Sequence, residues 1–369
     1  AELKKQGIAP IDFGVGDPTD PPPDCVIRAV GETAEKRKRE GYPSYVGAPE
    51  FREAVAGWMK RRFCVSLDPE TEICATIGSK EAVFNFHEAI VDPGDCVLCP
   101  TPGYPPYKRG TIFAEGIPYM YPLLRKNDFY PDFDSFPDEV LKKTKLLWIN
   151  YPNSPTGKIA DDGFFKRTAD FCERHNIIIA SDEAYSETYY TKKPRSMLEF
   201  RKEGVIMFHS LSKRSNMTQY RVGFVAGDRR LISIFKKLKT NIDSGTATFI
   251  QDAAIAALSD ETHVDRMRED YRKKMEIMTA AFGKIGCEDC APEGTIYMWQ
   301  KAPSGMDGVE FARRLLSPEC AVVVTPGAAF SDDLPGIGNP GKDYVRLALV
   351  PSLDDTAGAA EKIVRLWGK

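Results

Sequence analysis

The sequence has little net charge, few histidines and no long apolar run. Its 50 Lys and Arg residues nearly balance 53 Asp and Glu residues, which leaves a formal net charge of −3 at pH 7. A chain with so balanced a charge lacks the excess of basic residues that binding to nucleic acid or to an anionic membrane requires. No window approaches the ~18 uninterrupted apolar residues of a membrane span. We therefore expect neither a nucleic-acid partner nor a membrane.

Histidine and cysteine usage limits the metal and redox chemistry that we expect. The chain has only 4 His, too few to complete zinc centres with the C-x-x-C pairs Cys96/Cys99 and Cys287/Cys290. We expect no metal and interpret both pairs as small core residues. The 9 Cys are scattered and odd in number, which favours reduced thiols in a cytoplasmic protein over a disulfide framework.

Helix-like and strand-like patterns alternate along the chain. This alternation predicts an α/β fold with a largely parallel sheet, and 369 residues are enough for about two domains. Predicted strands span 73–77, 96–99, 146–150, 177–180, 205–209 and 222–227, and predicted helices span 50–63, 78–90, 164–175 and 265–283. Strands near 295–300, 322–325 and 344–350 predict a smaller C-terminal unit after the long last helix.

Several predicted strands end in polar or reactive side chains. One ends at Asn150, another stops at Asp182, and a third runs into Ser210 and the residues up to Lys213. Ligands of open α/β sheets bind just beyond the carboxyl ends of the strands. We therefore expect these loops, distant in sequence, to meet at one edge of the sheet.

Lys213 directly follows a buried strand, in the turn Ser210-Leu211-Ser212-Lys213. Desolvation and nearby cations lower the pKa of a lysine and make a neutral amine available for imine formation. The hydroxyls of Ser210 and Ser212 and the guanidinium of Arg221 suit a dianionic phosphate. The ordinary alternative is a solvated lysine in a surface loop.

Asp182 follows a run of three isoleucines and so sits at the end of a buried strand. A carboxylate there needs a cationic partner or strong donors, and a protonated pyridine nitrogen would be such a partner. Tyr185, three residues later, is placed to donate to an oxygen of the same ring. The alternative for Asp182 is a helix N-cap at a strand-to-helix turn.

Two further segments suit a phosphorylated ring. Gly78-Ser79-Lys80 is a small-residue turn that opens a predicted helix, and such a turn presents backbone N–H groups to a phosphate. Tyr104 stands between prolines and can stack on a planar ring, although packing in a rigid turn is its ordinary role. A pyridoxal 5'-phosphate site needs a lysine for the imine, a carboxylate for the ring nitrogen, donors for the phosphate and an aromatic side chain for the ring face. The sequence offers all four, and together they indicate such a site.

With these parts in their order, the chain resembles the class I/II aminotransferases of the aspartate aminotransferase superfamily, over nearly all of its length. The resemblance implies fold type I: a large domain over 40–265 with a mostly parallel central sheet flanked by helices, and a smaller α+β domain made of 1–39 and 266–369. It rests on the segments Gly14-Val15-Gly16-Asp17-Pro18, Tyr42-Pro43-Ser44-Tyr45-Val46-Gly47, Pro102-Gly103-Tyr104-Pro105, Pro152-Asn153-Ser154-Pro155-Thr156-Gly157, Ser181-Asp182-Glu183-Ala184-Tyr185, Ser210-Leu211-Ser212-Lys213, Arg221-Val222-Gly223 and Tyr344-Val345-Arg346.

The resemblance also implies roles around the cofactor. Lys213 would bind it covalently and then move the substrate α-proton. Asp182 would keep the pyridine nitrogen protonated, Tyr185 would donate to the ring oxygen and Tyr104 would stack on the ring. The residues expected around the phosphate are Ser79, Lys80, Ser210, Ser212 and Arg221.

Substrate contacts and a second subunit follow from the same resemblance. Arg346 would pair with the α-carboxylate of the amino-acid or keto-acid substrate, and the Gly16 backbone would lie beside it. Tyr42 and Thr248 would reach the phosphate held by the partner subunit. We therefore expect a homodimer with shared active sites.

The sequence departs from the family pattern at two places. The family usually has Asn immediately before Pro-Thr-Gly, where it contacts the ring oxygen; here Ser154 holds that place and Asn153 comes one residue earlier. Either residue is a candidate for the contact. The family often has Gly two residues before the phosphate arginine, and here Gln219 is found.

Substrate choice is indicated by the segment from Asn241 to Gly245. The arginine that binds a second carboxylate in aspartate-specific members would fall near Ser244, and no arginine is there. This segment and the one from Ser212 to Thr218 are similar to those of LL-diaminopimelate aminotransferases of lysine biosynthesis. Asn241 and Asp243 would suit a distal ammonium. We expect amino transfer from LL-diaminopimelate to 2-oxoglutarate.

Other functions remain open from the sequence. A different donor (alanine, aspartate, an aromatic amino acid or succinyl-diaminopimelate) would use the same residues, as would a carbon–sulfur lyase on the same fold. A ligand-sensing regulator usually adds a DNA-binding domain, and this chain has no basic segment for one. A third reading, nucleotide binding through the G-x-G-x-x-G string at 336–341, is disfavoured because the string precedes a predicted strand.

Overall fold

The computed structural model describes residues 2–368. Its helices are α1 (Glu2–Lys5), α2 (Asp24–Lys36), α3 (Pro49–Phe63), α4 (Ser79–Ile90), α5 (Pro105–Phe113), α6 (Asp138–Leu141), α7 (Asp162–His175), α8 (Leu211–Arg214), α9 (Arg229–Lys239), α10 (Thr248–Ser259), α11 (Thr262–Lys284), α12 (Gly308–Leu315) and α13 (Leu353–Trp367). Short 3-10 helices span Arg125–Asn127, Phe133–Ser135, Met197–Glu199 and Gly327–Phe330.

The strands form one large sheet and two small ones. They are β1 (Ile11–Asp12), β2 (Ile73–Thr76), β3 (Cys96–Thr101), β4 (Ile117–Pro122), β5 (Thr144–Asn150), β6 (Ile178–Asp182), β7 (Val205–Ser210), β8 (Gly223–Gly227), β9 (Tyr297–Lys301), β10 (Val322–Val323), β11 (Thr325–Pro326) and β12 (Tyr344–Ala348). The large sheet has the order β2-β8-β7-β6-β5-β3-β4. Its strands β4, β3, β5, β6 and β7 pair in parallel, and β8 runs antiparallel to both β7 and β2. The expected mostly parallel α/β sheet is confirmed.

The large sheet is buried on both faces because consecutive strand residues point into two different cores. Leu147 of β5 belongs to the core that also holds Trp58 of α3, whereas the next residue, Trp148, belongs to the core that holds Phe86 of α4. Helices therefore cover both faces, as the continuous apolar runs predict. Each large apolar side chain buried in this way stabilises the fold by about 1.5–3 kcal/mol.

A separate core surrounds the small sheets. It combines Phe13 with Met278 of α11, Met298 of β9 and Leu347 of β12. Strand β1 pairs in parallel with β10, with Ile11 opposite Val322, so the start of the chain packs with its last third. The boundaries of the expected domains, 40–265 against the rest, remain a prediction.

Most predicted elements occur within one to four residues of their predicted bounds. The strand expected at 322–325 is split into β10 and β11. The longer elements without a counterpart among the predicted spans are β4, α2, α5, α9, α10, α12 and α13. Cys96, Cys99 and Cys287 are buried, which confirms their core interpretation, while Cys290 is half-buried. Among residues 2–368, no helix combines the length and the apolar character needed to cross a bilayer.

Candidate active site

A cavity of about 280 Å³ lies at the carboxyl ends of strands β5, β6 and β7. These strands run in parallel, so their ends share one edge of the sheet. The start of α4 and the segment after β1 also line the cavity. The predicted site residues that line it are Gly16, Ser79, Lys80, Tyr104, Ser154, Asp182, Tyr185, Ser210, Ser212, Lys213 and Arg221.

Lys213 enters the cavity from α8, the short helix that follows β7 directly. Ser210 caps this helix by accepting from the Ser212 N–H at 3.2 Å. The Lys213 ammonium donates to the Gly16 carbonyl at 2.7 Å and has no ion pair with a carboxylate of residues 2–368. Burial lowers the pKa of Lys213 to about 8, Asp17 opposes that shift, and the nearby Arg346 and Arg221 reinforce it. The amine is therefore available in neutral form near neutral pH.

Asp182 ends β6 and is 5% exposed. Its carboxylate accepts from the Tyr107 hydroxyl at 2.7 Å and from the Ala184 N–H at 3.2 Å. Burial raises the pKa of Asp182 to about 6, while these two hydrogen bonds lower it. No helix begins after Asp182, so it is not the N-cap that the sequence left open. A buried carboxylate without a cation from the described residues fits a protonated pyridine nitrogen in the cavity.

The opposite end of the cavity is built from anion donors. Ser79 and Lys80 are the first residues of α4, where backbone N–H groups are free to bind an anion. Arg221 gives two of its N–H groups to the carbonyls of Thr218 and Ile77, at 2.7 and 3.4 Å, and keeps others free. Gly78, with φ +70°, leaves room for this guanidinium, because a Cβ there would lie 2.3 Å from Arg221 Nη2. This donor set fits a phosphate dianion.

Aromatic side chains form the walls between these two ends. Tyr104 lies edge-on to Tyr107 at 5.7 Å, and Tyr107 stacks on Trp148 at 4.6 Å. Burial raises the pKa of the Tyr185 hydroxyl well above its usual value, so it stays protonated and able to donate. Its oxygen lies 3.4 Å from that of Tyr297.

Besides Asn153, which is described below, three predicted residues lie outside the lining of the cavity. Arg346, on β12, packs between the rings of Tyr297 and Phe330 at 4.5 and 4.1 Å and donates to the Gly14 carbonyl at 2.7 Å. Its Nε is buried without a partner among the described residues. Tyr42 is 89% exposed, and Thr248 is half-buried at the start of α10. The roles expected for all three stay predictions.

The structure separates the two candidates for the ring-oxygen contact. Ser154 lines the cavity, whereas Asn153 is buried away from it and accepts from the backbone N–H and the hydroxyl of Thr156, at 3.1 and 2.7 Å. A different amide lines the cavity instead: Asn150 donates to the Asp182 carbonyl at 2.8 Å and accepts from the Ser154 N–H at 2.8 Å. Asn150 therefore fixes both Asp182 and Ser154.

Sequence reasoning missed several residues of the site. Besides Asn150, the lining includes Asp17, Tyr107, Ala184, Thr218 and Tyr297. Asn150 carried a signal, since it ends a predicted strand at the same edge as Asp182. Tyr297 carried none, because its strand belongs to the small sheet and reaches the cavity only through the packing of the two cores.

The segment expected to bind a distal ammonium is occupied by contacts within its own chain. The Asp243 carboxylate accepts from Lys239 at 2.6 Å and from the Gly245 N–H at 2.7 Å. Asn241 donates to the carbonyl of Lys237 at 3.0 Å, at the end of α9. The interpretation of Asn241 and Asp243 as substrate ligands is therefore not supported by their contacts.

The fold and the cavity together define a pyridoxal-phosphate-dependent enzyme of fold type I. Residues 9–357 match the family of aminotransferases class I and II. The chain belongs to this family, and it is a transaminase that uses pyridoxal 5'-phosphate to move an amino group between an amino acid and a keto acid.

Known relatives span nearly the whole chain. It is 46% identical over 369 residues to the LL-diaminopimelate aminotransferase of Aquifex aeolicus, covering 99% of this chain and 93% of the relative. An aminotransferase of Neisseria meningitidis superimposes with a TM-score of 0.92 at 35% identity, over 98% and 93% of the two chains. A probable N-succinyldiaminopimelate aminotransferase of Thermus thermophilus gives a TM-score of 0.90 at 30% identity, over 99% and 97%.

Proposed function

We propose that this aminotransferase takes its amino group from LL-diaminopimelate, passes it to 2-oxoglutarate, and serves lysine biosynthesis. The observation that carries the proposal is the 46% identity over the full chain to an enzyme of that name. The absence of arginine from 241–246 agrees with it, since a second guanidinium there would favour aspartate.

The residues of the cavity support the general reaction. When bound, pyridoxal 5'-phosphate supplies an electron sink for the bonds of the substrate α-carbon. Asp182 would hold a proton on the pyridine nitrogen, because its buried carboxylate gains most from a cationic donor. Ser79, Ser212 and Arg221 would hold the phosphate. Tyr185 would donate to the ring oxygen from its protonated hydroxyl.

Lys213 would have two tasks. Its amine would hold the cofactor covalently before the substrate amine displaces it, and the freed amine would then take the α-proton as a general base and give it back as an acid. The pKa of about 8 suits both tasks, because an appreciable fraction of the amine is neutral near pH 7. The Gly16 carbonyl, 2.7 Å from the Lys213 nitrogen, would orient it between these steps.

The substrate carboxylate and the second subunit complete the proposal. Arg346 would pair with the α-carboxylate, which its buried, unpartnered Nε supports. Tyr42 would reach the active site of the partner subunit in a homodimer, a role that would cover a tyrosine otherwise 89% exposed. The nine cysteines, all free thiols in the structure, support the proposed cytoplasmic location.

A donor screen tests the substrate. The purified enzyme is given 2-oxoglutarate with LL-diaminopimelate, meso-diaminopimelate, N-succinyl-diaminopimelate, aspartate, alanine or an aromatic amino acid, and glutamate formation is measured. We expect the highest kcat/KM for LL-diaminopimelate. A higher value for any other donor would contradict the substrate but leave the transaminase in place. Steady product without a keto acid would instead indicate a lyase.

A further inference from the structure

Outside the active site, three metal-ligating side chains from different helical segments converge. Cys25 lies in the first turn of α2, Asp260 follows the last residue of α10, and His263 lies in the first turn of α11. Their ligand atoms all lie within 4.8 Å of one another. Cys25 and Asp260 are 235 positions apart in the sequence, so no local spacing motif reveals the cluster.

We propose that Cys25, Asp260 and His263 bind one zinc ion. The distances are close to those that zinc requires. The Asp260 Oδ2 atom lies 3.6 Å from His263 Nδ1 and 4.0 Å from Cys25 Sγ. Tetrahedral zinc, with bonds of about 2.0–2.3 Å, places its ligand atoms about 3.3–3.6 Å apart. The third separation, between Cys25 and His263, is no more than 4.8 Å, so side-chain shifts of up to about 1 Å would bring the three ligand atoms to zinc distances.

The surrounding hydrogen bonds orient the ligands toward one point. The other ring nitrogen of His263, Nε2, lies 2.9 Å from the Ser215 hydroxyl, while Nδ1 is buried without a hydrogen-bond partner among the described residues. The other oxygen of Asp260, Oδ1, accepts from the N–H and hydroxyl of Thr262, at 2.9 and 2.7 Å. Metal sites commonly hold their ligands by such outer contacts.

Ligand chemistry selects the class of ion. A thiolate with an imidazole and a carboxylate favours zinc over magnesium or calcium, which prefer oxygen ligands. The thiolate and the carboxylate together balance the charge of a divalent ion. Two guanidinium groups act on the cluster, Arg28 on Cys25 and Arg214 on His263. Arg214 is paired with Glu261 at 2.6 Å, so its charge is compensated. A water molecule would complete four-coordination.

A zinc ion here would join three parts of the fold near α8, the short helix that carries Lys213. It would tie α2 to the junction between α10 and α11. His263 contacts Ser215, two residues after Lys213, so the ion would also brace the end of that helix. None of its ligands lines the active-site cavity, so the ion would take no part in transamination.

The test is zinc binding by the holoenzyme after removal of metals with EDTA and removal of free cofactor. Zinc is titrated in competition with a chromophoric chelator, and cobalt is added separately to record the visible bands of a tetrahedral site. We expect one zinc per chain. Cys25→Ser and His263→Gln should each lower the affinity by about 100-fold or more, beyond what loss of an outer contact costs.

Cys64→Ser is the matched control, because Cys64 is an exposed free thiol outside the cluster. We expect it to bind zinc like the wild type. All variants should retain the absorbance of the bound cofactor and their transaminase activity, which shows that they are folded.

Several results would overturn the site. These are no stoichiometric zinc in the wild type, unchanged binding in Cys25→Ser or His263→Gln, or an equal loss in Cys64→Ser, which would indicate adventitious binding to surface thiols. Protection of Cys25 from iodoacetamide by zinc, mapped by mass spectrometry, provides a second readout on the unmodified sequence. Failure of the site would leave the proposed function unaffected.

Discussion

A fully buried lysine and a half-buried lysine of this protein have opposite surroundings. Lys239, at the end of α9, has a fully buried side chain whose nitrogen lies 2.6 Å from Asp243 and 3.5 Å from Glu81. Lys213 donates to the Gly16 carbonyl and has no carboxylate within ion-pair distance among residues 2–368. Burial lowers the pKa of Lys213 to about 8, although the nearby Asp17 carboxylate opposes the shift. The two lysines therefore differ in their partners: Lys239 is held by two carboxylates, whereas Lys213 has none in direct contact among residues 2–368 and is left available for chemistry.

Replacing the unpaired lysine should have the largest effect on the reaction. Lys213→Ala removes both the nucleophile and the base, so we expect kcat/KM to fall by about 10⁴-fold or more. Thermal unfolding of the cofactor-free protein should change little, because no buried ion pair is broken. Steady-state kinetics and a melting curve measure the two effects. Near-normal turnover would contradict the assignment of Lys213.

Replacing the paired lysine should instead affect stability. Lys239→Met leaves the carboxylates of Asp243 and Glu81 without their buried cation, and we expect a loss of about 3–5 kcal/mol in the free energy of unfolding. Denaturant unfolding measures the change. If Lys239→Met unfolds like the wild type while Lys213→Ala is strongly destabilised, the comparison between the two lysines is wrong.

The pH dependence of stability should report on Asp182. Its folded pKa of about 6 lies above the ordinary value of 3.8, so between these values the folded cofactor-free protein binds more protons than the unfolded chain. The contribution of Asp182 to the stability is therefore fully present below pH 3.8 and is lost as the pH rises toward 6, by up to about 3 kcal/mol. Asp182→Asn should remove this part of the slope. An unchanged pH dependence of stability in Asp182→Asn would contradict a buried Asp182 carboxylate that lacks a cationic partner.

The smallest effect concerns the charge near Lys213. The Asp17 carboxylate favours the protonated form of Lys213, so Asp17→Asn should lower the pKa of Lys213. In the cofactor-free protein, we expect labelling of Lys213 by an amine reagent to be half-maximal near pH 8, and at a lower pH in Asp17→Asn. Mass spectrometry after brief labelling follows the residue. A shift to higher pH would contradict the sign of this interaction.

The parts of the site at strand ends were predictable from sequence. Lys213 and Asp182 follow buried apolar runs, and parallel strands bring their carboxyl ends to one edge whatever the loops do. Tyr107 and Tyr297 were not predictable in this way. Tyr107 reaches Asp182 only because α5 packs against Trp148, and Tyr297 arrives from another sheet.

The ion pairs, too, are only partly predictable from the sequence. Lys239 and Asp243 are one helical turn apart, which sequence spacing suggests, but Glu81 joins them from a distant helix. The segment 241–245 resembles a substrate site. Its Asp243 carboxylate instead accepts hydrogen bonds from Lys239 and from the Gly245 N–H, which are contacts within the same chain. Sequence similarity drew attention to this segment but did not give the partners of its side chains.

The central claim is that Lys213 is the residue that binds pyridoxal 5'-phosphate, and one measurement tests it most directly. The holoenzyme is reduced with borohydride, which fixes the cofactor to the lysine that holds it, and the labelled peptide is identified by mass spectrometry. We predict a single pyridoxyl group on Lys213. A label on Lys80, on Lys239 or on any other lysine, or no label in an enzyme that still transaminates, would contradict the account.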